Sequence, residues 1–144
     1  LSKGVGDSVQ YAQDGMRMMG ATFEPTPWLR VNAAWDLWAE EGVGIEEIHA
    51  HVAARQTRLI DGVASTSPAS LTGAERLPAG AHPFGHFVTF RTERAGALHD
   101  ALRGANVLTD YRGDRLRFGV ALYHEDADID RLLDVLGGLR LDGD

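Results

Sequence analysis

Residues 107–120 decide the fold: Val107-Leu108-Thr109-Asp110-Tyr111, then Arg112-Gly113-Asp114, then Arg115-Leu116-Arg117-Phe118-Gly119-Val120. The first five predict a strand. The middle three predict a turn, with Gly113 supplying the unusual backbone angle. The last six predict the returning strand. In that return Leu116, Phe118 and Val120 fall on one face and Arg115, Arg117 and Gly119 on the other, the period-two alternation of a sheet with one buried side.

Phe84–Arg91 is rich in aromatic and β-branched residues and predicts a further strand. Thr92 can cap a helix running to about Arg103, with Leu98 and Leu102 inward and Gly104 ending it. After the hairpin, Ile129, Leu132, Leu133 and Leu136 follow helical spacing, and Asp126 can cap that helix. Upstream, Thr26-Pro27 reads as an N-cap followed by proline in the first turn. Trp28, Val31, Trp35 and Trp38 then recur on one helical face, which predicts a core or interface stripe, and Gly42 stops the helix. A second helix is expected over Ile45–Asp61. Its buried stripe would hold Ile45, Ile48, Val52, Leu59 and Ile60, with Glu46, Glu47, Arg55 and Arg58 elsewhere. Residues 64–83 are rich in Ala, Ser, Gly and Pro, and a short edge strand is expected near Ser70–Thr72.

The expected order is α-α-β-α-β-β-α. This is an α+β architecture, a small, mainly antiparallel sheet of three or four strands with helices packed on one face. Residues 1–25 lack periodicity and carry Met16, Met18 and Met19, as expected of an irregular segment packed on another surface. Residues 26–144 would form the domain proper.

Of 144 residues, 14 are basic and 21 acidic, a net charge of −7 that leaves no electrostatic footprint for nucleic acid or anionic lipid. With no cysteine, neither a disulfide framework nor a thiolate zinc site can form. No apolar run approaches the roughly 20 residues of a membrane span. A soluble, cytoplasmic location is therefore expected. The chain opens on Leu1 rather than Met, and it is expected to be a piece of a larger protein. Lys3 is its single lysine.

The run from Asp110-Tyr111-Arg112 through Leu116-Arg117-Phe118-Gly119 to Leu122-Tyr123 resembles the C-terminal signature of kynureninases and related class V aminotransferases. These are pyridoxal-phosphate (PLP) enzymes of fold type I. The strand Gly85-His86-Phe87-Val88-Thr89-Phe90 is also similar to theirs. So is Gly20-Ala21-Thr22 ahead of the first helix, although Gly20-Ala21-Thr22-Phe23-Glu24-Pro25 stands where many relatives have Gly-Thr-Pro. The resemblance covers most of the chain and is strongest over residues 84–136. It implies the C-terminal small domain of such an enzyme, preceded by a large domain that carries the Schiff-base lysine and most of the cofactor contacts. It further implies an α-amino acid substrate and a homodimer. Arg117 would bind the substrate α-carboxylate, and Thr22 would reach the PLP phosphate. This fragment alone would be inactive, because Lys3 is in the wrong context for the aldimine.

Read from the residues alone, Arg117 stands on the sheet face opposite Leu116 and Phe118, and a planar guanidinium suits bidentate recognition of a carboxylate. An arginine solvating an exposed face, or pairing with Asp110 or Asp114, fits the same pattern. Thr22 can equally be a turn residue, and His124 a surface histidine or a substrate determinant. Kynurenine-type hydrolysis and transamination rank above cysteine desulfuration on the motifs present. The reading from another class is a non-catalytic α+β module for partner binding or dimerisation. His49 and His51 diverge on a helix and make no metal pair. Gly4-Val5-Gly6 lacks the strand and third glycine of a dinucleotide loop.

Overall fold

The computed structural model describes residues 11–18, 24–78 and 85–141. The chain divides into two units, Leu1–Val43 and Gly44–Asp144.

In the first unit a 3-10 turn, Gly15–Met18, precedes helix α1, Thr26–Glu40. Pro27 sits in the first turn, where its missing N–H has no helical partner in any case. Thr26 is not the cap that its position suggests. It is the first helical residue, Pro25 holds the cap position, and the Thr26 hydroxyl and N–H both go to the Glu24 carboxylate. Gly42, with φ of +69°, ends the helix in the left-handed region that glycine tolerates. The tryptophan stripe forms no core: Trp28 is 61 % exposed, Trp35 59 % and Trp38 40 %, and α1 has no buried residue. Helical spacing makes a stripe, but burial needs an opposing surface, and the described residues of this unit supply none.

The second unit contains helix α2 (Ile45–Thr66), strands β1 (Glu75–Leu77) and β2 (Phe87–Arg91), and helix α3 (Ala95–Gly104). Strands β3 (Asp110–Arg112) and β4 (Arg115–Gly119) and helix α4 (Asp126–Gly138) complete it. The sheet is antiparallel throughout, in the order β1-β2-β4-β3. Val88 and Phe90 lie opposite Phe118 and Leu116 in the β2–β4 register, and all four are buried in one core with Leu59, Leu98, Leu102, Ile129 and Leu136. The α+β class is as the alternation implies, with the edge strand β1 completing a sheet of four. Transfer of each fully buried leucine contributes about 1.5–3 kcal/mol.

Several boundaries move for physical reasons. Helix α2 runs on past the expected Asp61 to Thr66 and ends at Ser67, whose φ of 42° closes it, so only the first residues of the Ala- and Ser-rich stretch, 64–66, are helical. Ile45 is exposed, whereas Gln56 joins Val52 and Leu59 on the buried stripe and donates 2.6 Å from Nε2 to the Gly85 carbonyl. Arg55 lies on the same face and faces the start of α4, with its Nε 3.4 Å from Asp126 and its Nη2 3.7 Å from Glu125. Its stem is covered while its head meets acid.

Residues 70–72 are not strand. They lie in and just after a 3-10 turn, Ala69–Leu71, and the edge strand forms at Glu75–Leu77. Likewise β3 begins at Asp110 rather than Val107. Asn106, at φ 59°, and Val107 complete the end of α3 by hydrogen bonds to Arg103 and Leu102, which takes them out of the ladder. Thr92 accepts a 3.3 Å hydrogen bond from the Arg94 N–H, one turn ahead of the helix that was expected to start on it. Glu125, not Asp126, holds the cap position of α4, and its N–H donates 2.8 Å to the Asp128 carboxylate. The expected strand start at Phe84 lies outside the described residues. Among those described, no helix is long and apolar enough to cross a membrane.

Candidate functional site

Register decides what surrounds Arg117. Thr89 on β2 and Asp110 on β3 are its direct neighbours across the sheet. Because side chains alternate, these three share the face opposite the core with Phe87, Arg91, Arg112 and Arg115. The Arg117 guanidinium forms an ion pair with the Asp110 carboxylate, and its Cζ sits 5.2 Å from the centre of the Phe87 ring. A cation so placed on an aromatic face is attracted to it. The Arg117 side chain is 26 % exposed and that of Asp110 55 %.

Arg117 does not stand in bulk solvent. It lines an open cleft of about 840 Å³ together with Phe87, Asp110, Gly119, Tyr123 and His124. Gly119 faces Phe87 across the ladder, and a Cβ built there would meet nothing within 4 Å. This leaves room beside the guanidinium on the cleft side.

His124, which lines the cleft, is fixed by its neighbours. It is half-buried and bonded, not a loose surface histidine. Its Nδ1 accepts 2.9 Å from the Ala121 N–H, so that nitrogen carries no proton in this arrangement. Its carbonyl accepts 2.9 Å from Nε2 of His51 on α2. The Tyr123 ring lies against it, 4.5 Å between centroids. At the edge, His99 Nδ1 is 2.9 Å from Thr109 Oγ1 and its ring is 5.1 Å from that of Tyr111, which ties the approach to β3 onto α3.

The sequence singled out Arg117 and its face for a ligand carboxylate, with pairing to Asp110 or Asp114 as the alternative, and the pair that forms is with Asp110. It did not bring Phe87 to Arg117, nor His51 to His124. Phe87 has the right strand parity, but only the adjacency of β2 and β4 brings it to Arg117. Thr22, the expected phosphate contact, lies outside the described residues, as does Lys3. The described residues contain no lysine and so offer no amine for a Schiff base with PLP. Among them, no group of three or more His, Asp or Glu side chains is placed to hold a metal ion.

What this arrangement can do chemically is bind an acid group. It offers a partly desolvated guanidinium, an aromatic shelf beside it and open space on one flank. The chain matches no protein-family profile and no curated protein.

Proposed function

We propose that this chain is the substrate-carboxylate-binding domain of a PLP-dependent enzyme acting on an α-amino acid, of the kynureninase or class V aminotransferase kind. The observation that carries the reading is Arg117 on the sheet face opposite the core, held beside Phe87 in the lining of a cleft. It joins a motif resemblance to a geometry suited to the role. In this reading Arg117 grips the α-carboxylate with two parallel hydrogen bonds and so fixes the orientation of the bonds at Cα. A large domain ahead of the chain would hold the cofactor and close the cleft, and the assembly would be a homodimer. Hydrolysis of a kynurenine-like side chain, transamination and desulfuration all remain open to such a domain, because fold does not set chemistry.

The test uses the natural full-length protein that carries these residues. It is expected to take up PLP, seen as an absorbance band that borohydride fixes to the protein, and to act on one member of an amino-acid panel that includes kynurenine. Arg117→Ala should lower kcat/KM by about 10- to 100-fold, the loss of a charged hydrogen-bonding partner. A full-length protein that takes up no cofactor, or an Arg117→Ala protein that processes amino acids unchanged, would overturn the proposal.

One observation favours a second reading, a module for partner binding or dimerisation. Helix α1 exposes Trp28, Trp35 and Trp38 together, and tryptophan is enriched where surfaces meet. In this reading, replacing the three tryptophans changes the assembly size in sedimentation while leaving ligand binding at Arg117 intact.

A further inference from the structure

The guanidinium of Arg117 already holds a carboxylate, that of Asp110, directly opposite in the β3–β4 register. The two partners are held very differently. Arg117 belongs to β4, an inner strand of the sheet, with Leu116 and Phe118 on either side of it in the core and the Phe87 ring beside its head. Asp110 opens β3, a three-residue strand at the sheet edge. The residues before it are outside the ladder, Leu108 is exposed, and its own side chain is twice as exposed as that of Arg117. Arginine is fixed; aspartate has solvent to swing into.

We infer that Asp110 is a built-in occupant of the carboxylate site, displaced when a ligand's acid group binds Arg117. The inference rests on the carboxylate reading of Arg117 and adds the residue that sets its threshold. A carboxylate tethered to the same sheet competes with every incoming anion. Those that present a single oxygen gain least in exchange, and those that present both oxygens to the planar fork gain most. Asp110 is thus a positioning and selectivity residue that acts through Arg117. The space left at Gly119 lets the incoming group approach from the cleft while Asp110 leaves towards the edge.

Benzoate is a suitable probe, since it carries one carboxylate and no amino group and needs no cofactor. Its dissociation constant is measured by calorimetry on the natural full-length protein that carries these residues, with the Arg117 side-chain N–H resonance followed by NMR. Asp110→Asn keeps the shape and removes the charge, and should tighten binding by up to about fivefold, the range expected for releasing a partly exposed ion pair. Asp110→Ser should do the same, which guards against an effect peculiar to asparagine. Asp110→Glu restores the charge and should return the affinity towards that of the parent. Arg117→Gln should abolish binding in both the parent and Asp110→Asn backgrounds. If Arg117→Gln abolishes binding while Asp110→Asn and Asp110→Ser leave it unchanged or weaker, the displacement model is overturned and the carboxylate site stands. If Arg117→Gln leaves benzoate binding unaltered, or no benzoate binds to any variant, both fall.

Discussion

The hydroxyl of Ser70 donates 2.8 Å to the carbonyl of Leu136, and both residues are wholly buried. The acceptor belongs to the last turn of α4, where the final carbonyls of a helix have no partner of their own. The 3-10 turn between α2 and β1 therefore closes the end of α4 through a single side chain. Ser70→Ala would leave that carbonyl buried and unpaired, and should lower stability by about 1–3 kcal/mol in urea unfolding. Ser70→Thr, which retains the hydroxyl but adds a methyl at a fully buried position, should not recover all of this.

Helices α2 and α4 approach closely at Gly62. A Cβ added there would lie 2.3 Å and 2.8 Å from the two methyl carbons of Leu133 and 3.1 Å from its Cγ. Glycine is needed here for space, not for a backbone angle. Gly62→Val should destabilise by about 1–3 kcal/mol through overpacking. Adding Leu133→Ala should restore part of that loss, so that a double-mutant cycle by thermal or urea unfolding shows a clear coupling.

The same helix pair is joined by Arg58 and Asp130, two hydrogen bonds of 2.7 Å each. The hydrogen bond from Arg58, aided by its charge, holds the Asp130 carboxyl below its usual range. Arg58 is correspondingly raised, first by the hydrogen bond to Asp130. A carboxyl lowered on folding adds stability above its unfolded value and loses it as pH falls through the folded one. Asp130→Asn should therefore melt below the parent at neutral pH, and the two melting temperatures should converge on acidification. The effect should also shrink with added salt, because the pair is exposed. Parallel unbroken curves down to acid pH would contradict the assignment.

Gly119 offers a test that separates site from scaffold. Its added Cβ meets nothing, so Gly119→Val should leave stability unchanged or raise it by about 0.5–1 kcal/mol through better strand propensity. Yet the isopropyl group would stand beside Phe87 and Arg117 on the cleft side. Carboxylate binding should weaken at least tenfold, a steric loss of about 1.4 kcal/mol or more. A variant that melts as the parent and binds benzoate equally well would show that ligands do not approach by this route.

The strand, turn and strand around Gly113, the apolar parity of Leu116 and Phe118, and the helical spacing of Ile129 to Leu136 were all legible in the residues. Each is a local periodicity, set by how a backbone projects its side chains. Boundaries failed where tertiary partners compete with local pattern. Val107 was strand-like in sequence but completes the end of α3, and Ser70 left the ladder to reach Leu136. Gln56 was invisible as a buried residue until Gly85 supplied an acceptor.

On its own, then, the sequence determined the α+β class, the hairpin and the face on which Arg117 stands, because alternation along a strand is a property of the chain itself. Only tertiary structure decided the company that Arg117 keeps. Strand order puts Phe87 and Asp110 on either side of it, the Gly119 gap gives it room, and the Trp28, Trp35 and Trp38 stripe is left exposed. The physical reason is that pairing between distant segments depends on which surfaces meet, and no residue carries that information alone.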